Sequence, residues 1–181
     1  MIAPRLIPPE YGKWNQRWGS PRGWRPGRLA RALGDTYVGI RYRGPFGFQP
    51  NSDTRRFEFP WAYHRIREQG DRLTVVEIGG GFSGLQFVLA KEGYRVINVD
   101  PGLAASGKGW PISPARHQRI ARALRAPVTL LPTTIGRASI AQASVDVVLC
   151  VSVLEHLTAE ELAEVGQSIG GLLKPNGVVV S

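Results

Sequence analysis

The stretch VVEIGGGFSG, residues 75–84, decides the fold of this chain. Val75, Val76 and Ile78 belong to a continuous apolar run, LTVVEI (73–78), that stops at three glycines, Gly79, Gly80 and Gly81, with Glu77 just ahead of them. After the glycines, SGLQFVLAKEG (83–93) has helical spacing, with Leu85, Val88 and Leu89 on one side and Gly93 as its stop. The next segment, YRVINVD (94–100), is again strand-like and ends in Asp100. Strand, glycine turn, helix and strand make a β-α-β unit.

The same grammar continues to the end of the chain. Ser113 and Pro114 mark a helix start, and PARHQRIARALR turns Ile120 and Leu124 inward. PVTLL (127–131) and SVDVVLCV (144–151) read as strands three and four. Thr158 with Glu161 forms a capping-box signature for a helix whose Leu162, Val165 and Ile169 share a face, and GVVVS reads as strand five. Strands that are apolar throughout and alternate with helices imply an α/β fold: a doubly wound, mostly parallel, Rossmann-like sheet of about five strands.

Residues 1–70 read differently. They carry 13 Lys and Arg against 5 Asp and Glu, whereas residues 71–181 carry 10 against 9, so the net charge of +9 belongs almost wholly to the first part. They also hold 12 of the 16 aromatic residues, scattered among Gly, Pro and Arg, and no period survives for long. Local readings are a short helix over 27–33, a strand over TYVGIRYR (36–43) and a helix within 57–70 entered at Pro60. We expect two regions: a basic, aromatic-rich segment (1–70) serving as lid or substrate shelf, and a ligand-binding Rossmann-like domain (71–181). Arginines set near aromatics, as in RWGSPRGWRPGR (17–28), suit phosphate, sugar or base, but no standard nucleic-acid module is present.

In such sheets the ligand lies beyond the carboxyl ends of the strands, against the first glycine turn. Gly79, Gly81 and Gly84 match G-x-G-x-x-G, and Asp100 ends the second strand, where a carboxylate can take ribose hydroxyls. NAD and S-adenosylmethionine both satisfy that spacing. Glu77 separates them: an ionised carboxylate about 4 Å from one pyrophosphate charge costs on the order of 4 kcal/mol at a surface dielectric. The ammonium and sulfonium of S-adenosylmethionine reverse the sign, while the glycine amides and the helix N-terminus meet its carboxylate. An NAD-dependent oxidoreductase and a non-catalytic module with a basic arm stay as alternatives.

Three separated motifs, VVEIGGGFSG (75–84), VINVD (96–100) and DVVLCVSVLEHL (146–157) followed by LLKPNG (172–177), resemble the class I S-adenosylmethionine-dependent methyltransferases over roughly residues 71–181. The resemblance implies a donor held by Glu77, Gly79, Gly80 and Gly81, with its ribose on Asp100 and its adenine near the loop after strand three. That loop, LLPTTIGRASIAQAS, lacks the carboxylate the family often places there, so Thr134, Thr133 or a backbone carbonyl has to serve. The family's sheet also continues past strand five, so the resemblance implies an S-adenosylmethionine-binding domain (71–181) that is truncated here. Strand five here is then an open edge, suited to pairing in a homo-oligomer.

In methyl transfer the donor supplies the activation, and the protein aligns the partners and excludes water. A hydroxyl acceptor needs a base, and His156, after strand four at the carboxyl edge, is the candidate. The expected acceptor is a small hydroxyl-bearing metabolite or a glycan. No metal is expected: relatives that use the Glu-His pair around a metal place Glu three residues earlier, where this chain has Ser152. His64 is read as part of its helix, His117 as a surface residue, Cys150 as core, Asp146 as a fold-keeping hydrogen-bond acceptor, and Arg116, Arg119 and Arg122 as a solvated face. Arg55, Arg56, Trp61 and Tyr63 are candidates for the acceptor pocket. One cysteine, an opening without an apolar leader, and no run near the ~18 residues of a span point to the cytoplasm rather than a membrane.

Overall fold

The computed structural model describes residues 7–103 and 111–181. Five parallel strands, β1 (Thr74–Ile78), β2 (Arg95–Val99), β3 (Val128–Leu131), β4 (Val145–Leu149) and β5 (Leu173–Val180), stand in the order β3-β2-β1-β4-β5. The order reverses between β1 and β4. Chain connections leave in opposite directions there, which opens a crevice at the carboxyl ends of those two strands.

Alternation along the strands sorts the core into two layers. Val75, Val96, Val147 and Leu149 face one side and pack with α5 (Gly84–Lys91) and α6 (Pro114–Leu124). Val76, Ile78, Ile97, Val99, Val148 and Cys150 face the other, where Ile169 and Leu172 of α7 (Ala159–Leu172) cover them. The sheet is therefore doubly wound, as expected. Local signals hold too: Ser113 caps α6, and Thr158 and Glu161 form the capping box of α7. Asp146 accepts from the Thr74 amide and from Lys174, both at 2.8 Å, tying β4 to β1 and β5. Burial works to raise the Asp146 carboxyl, but these two bonds outweigh it and hold it below the usual range. Leu162 departs from the expected inner face and is exposed, as is Val179 on the edge strand β5.

Among the described residues before β1 there are four helices: α1 (Pro9–Trp18), α2 (Arg28–Leu33), α3 (Tyr37–Arg43) and α4 (Arg55–Gln69). The strand expected over 36–43 is a correction. Thr36 caps α3 by accepting the Gly39 amide at 3.1 Å, and a helix satisfies its own backbone where no strand offers a ladder. The alternation was misleading because Tyr37 and Val38 are exposed and only Gly39 and Ile40 are buried. The helix expected to enter at Pro60 begins at Arg55, with Pro60 inside it. Proline removes the amide that would bond to the Arg56 carbonyl, and the Asn15 side chain supplies the missing donor at 2.7 Å. Trp14, Trp18, Phe46, Phe48, Phe59 and Tyr63 are buried in the same cluster as Val75, Leu85 and Phe87. No helix among the described residues is long and apolar enough to cross a membrane.

Candidate functional site

The glycine turn at the end of β1 is fixed from four directions. Gly79 donates to the Val99 carbonyl at 2.9 Å, Gly81 to Asp100 Oδ2 at 2.7 Å and Phe82 to Gln49 Oε1 at 2.8 Å, while Asn98 Nδ2 donates to the Gly81 carbonyl at 3.0 Å. Gly79 and Gly81 both hold positive φ, 66° and 51°, which few side chains tolerate. A Cβ on Gly80 would lie 2.8 Å from Glu77 Cδ and 2.9 Å from Asn98 Oδ1, so these two groups sit directly under the turn. Glu77 and Asn98 are partners in the β1–β2 register, which is why they meet there.

Both are buried, and Glu77 Oε2 and Asn98 Oδ1 have no hydrogen-bond partner. Two acceptors withdrawn from water without a donor are costly, about 1–3 kcal/mol each, and mark a place where a donor belongs. Burial pushes the Glu77 carboxyl up to about 8, against the opposing hydrogen bond of Ser83. A chain of buried polar groups continues beneath: Gln86 Oε1 accepts from Asn98 Nδ2 at 3.0 Å and meets His117 Nε2 at 2.7 Å. His117 is thus a correction, since it is buried rather than on the surface, and burial lowers its imidazole to about 4. Sequence spacing could not reveal this, because its partner lies on another helix.

Asp100 also accepts from the Gly102 amide at 2.7 Å, so it braces the ends of β2 and the glycine turn together. Across the crevice, Val153 lies against Gly79, within 2.7 Å of where a Cβ would stand, and Ser152 holds φ of 50°. Ser152 accepts from Arg55 Nη1 at 2.7 Å, and Arg55 also pairs with Glu58. Of the four N-terminal candidates for the pocket, Arg55 therefore reaches the crevice. Tyr63 is taken up by Glu92, past the far end of α5, Trp61 packs on the core, and Arg56 lies near Asn15. His156 is exposed, in a single 3-10 turn (Leu154–His156) three residues beyond Val153. Thr134 is exposed beyond β3, just before a second such turn (Ile135–Arg137). Cys150 is buried, and its thiol is pushed up to about 12 by burial. Among the described residues no group of three or more His, Cys, Asp or Glu could hold a metal ion.

Gln49 and Phe46 are two residues at the site that escaped the sequence. Gln49 reaches from the N-terminal segment onto the turn, and the third glycine, Gly84, is bare because Phe46 packs on it: a Cβ there would stand 2.3 Å from the Phe46 ring.

A family model described as a methyltransferase domain matches residues 76–179. The chain belongs to that methyltransferase family. The fold is similar to that of several solved structures. One is a Burkholderia thailandensis 1,6-didemethyltoxoflavin-N1-methyltransferase with 1,6-didemethyltoxoflavin and S-adenosylhomocysteine bound, at TM-score 0.55 and 18% identity over 99% of this chain and 66% of that one. Another is a Pyrococcus horikoshii protein, at 0.56 and 19% over 84% and 64%. A third is a Synechocystis magnesium protoporphyrin IX methyltransferase with S-adenosylhomocysteine bound, at 0.51 and 18% over 80% and 67%. This methyltransferase-family chain spans about two thirds of the length of those structures. No curated protein matches the sequence. Family membership sets the NAD-dependent oxidoreductase aside.

Proposed function

We propose that this chain binds S-adenosylmethionine at the glycine turn and catalyses transfer of its methyl group to a small hydroxyl-bearing metabolite, a carbohydrate being the preferred class. The observation that carries the reading is the pair of buried acceptors without a donor, Glu77 Oε2 and Asn98 Oδ1, under Gly80 at the point where the strand order reverses. An ammonium brings the donors such a pair lacks, and a carboxylate there suits a cation far better than a pyrophosphate.

The donor, when bound, supplies a methyl carbon already activated by the sulfonium. The protein's own residues do the rest. Glu77 draws the amino end to the turn formed by Gly79, Gly80 and Gly81. Asp100 spends one acceptor site of each oxygen on backbone amides, and its remaining lone pairs take the ribose hydroxyls. Thr134 borders the adenine. Gln49 gives up the Phe82 amide to the carboxylate or turns its own amide toward it. The basic N-terminal segment serves as lid or substrate shelf for the Rossmann-like domain, with Arg55 as its contact across the crevice. His156 takes the proton of the attacking hydroxyl and, being exposed, passes it to water. The open edge of β5 offers itself to a second copy of the chain.

The acceptors named for the Burkholderia and Synechocystis proteins differ from each other, so neither is carried over. Equilibrium dialysis with methyl-labelled donor tests the reading. The wild-type chain is expected to retain label that excess S-adenosylhomocysteine displaces and NAD does not; no retention would overturn it. Donor binding without turnover in His156→Ala supports the base, and full turnover removes it.

A further inference from the structure

Beside the glycine turn lies a concavity of about 490 Å³, lined by Arg22, Arg43, Phe48, Gln49, Asn51 and Arg116 among others. That volume is in the range of small-molecule sites. Two of its residues join it to the turn: Gln49 accepts the Phe82 amide, and the Arg116 guanidinium stands 4.6 Å over the Phe82 ring. We propose that this concavity is the acceptor subsite and that it selects an acceptor bearing an oxyanion, a carboxylate or phosphate, gripped by Arg116 and Arg22. The assignment rests on the methyl-transfer reading above.

The charge arrangement is built for such a group. Asp35 clamps two of the arginines, Arg43 at 2.5 Å and Arg116 Nε at 2.6 Å, and Asp53 takes Arg22 at 2.8 Å. Three guanidiniums against two carboxylates leave one positive charge. Burial tends to raise the Asp35 carboxyl, but the bonds from Arg116 and Arg43 outweigh it, so the clamp stays ionised. Arg43 is scaffold: it also donates to the carbonyls of Gly34, Gly39 and Gly47, which shapes the wall of the cleft. Arg116 is different. Asp35 takes only its Nε–H, and no described residue accepts from its two terminal nitrogens. Its planar fork is held by the ion pair on one edge and by Phe82 on one face, leaving the opposite edge to bind an oxyanion through two parallel bonds. Arg22, whose side chain is 61% exposed, exchanges Asp53 for the same group. Phe48, with Arg43 at 4.9 Å over its ring, gives an apolar floor for the carbon skeleton.

The test titrates the full chain with phenyl phosphate and with benzoate at constant ionic strength, by calorimetry, with S-adenosylhomocysteine as a separate titrant. At least one probe is expected to bind saturably, and the preferred one identifies the oxyanion. Arg116→Gln should weaken it about tenfold or more, Arg116→Lys less, and Arg22→Gln severalfold, with S-adenosylhomocysteine affinity changed less than about twofold. If Arg116→Gln does not fold, the exposed Arg22→Gln carries the test. Equal binding by wild type, Arg116→Gln and Arg22→Gln, or no saturable binding at millimolar probe, overturns the proposal. Tighter binding of an oligonucleotide through the same arginines also overturns it. Arginine-dependent phenyl phosphate binding with no S-adenosylhomocysteine binding would break the donor reading alone; the converse would break this one alone.

Discussion

The two regions of the molecule, before β1 and from β1 onward, share one buried cluster but contribute to it differently. From β1 onward each element carries its own period, because each strand or helix presents one regular face to a sheet. Before β1 the order comes from single contacts at long range: Phe46 on Gly84, Asn15 on the carbonyl that Pro60 leaves bare, Gln49 on the Phe82 amide, Arg55 on Ser152. Regular structure needs only local agreement, whereas the N-terminal segment is ordered by the surface it packs on.

That contrast can be broken. Phe46→Ala is expected to destabilise the whole chain by about 3–5 kcal/mol in urea unfolding, the cost of a buried aromatic, because Phe46 contacts Trp14 and Phe59 as well as Gly84. A separate early transition, with the sheet's own melting unchanged, would show that the two regions fold apart. Within the sheet region, Asp100→Ala is expected to weaken donor binding by about 1–3 kcal/mol, read by calorimetry; unchanged affinity would take Asp100 out of the site.

The sign of the Glu77 effect follows from burial, which raises its carboxyl from 4.5 to about 8. The folded chain keeps a proton that the unfolded chain loses, so this stabilisation is complete below about 4.5 and declines up to about 8, by at most about 1.4 kcal/mol per pH unit. Glu77→Gln should flatten that decline in melts run across the window; a profile identical to wild type would mean that Glu77 ionises normally. The smallest effect tests the locally written half: Thr158→Ala, which removes the cap of α7, should cost about 1 kcal/mol and leave donor binding alone.

How much was legible follows the same division. The order of strands and helices, the caps at Ser113 and Thr158, and the placing of Glu77, the glycines and Asp100 around one turn all lay in local patterns and in motif spacing. The pattern over 36–43 misled, since an eight-residue alternation fits a short capped helix equally well when no strand is available to pair. His117 and Arg116 were read as surface because one helix's spacing says nothing of Gln86 or Asp35 opposite it. Arg55 was suspected from composition, but its partner, Ser152, is 97 residues away.

If S-adenosylmethionine binds as proposed, its cationic end settles over Glu77 and draws out the proton that burial holds there. Titrating S-adenosylmethionine into the wild-type chain near pH 7, in buffers of different ionisation enthalpy, measures this directly. One-to-one binding with release of close to one proton is expected, the release being absent in Glu77→Gln. Binding without proton release, or no binding at all, would contradict it.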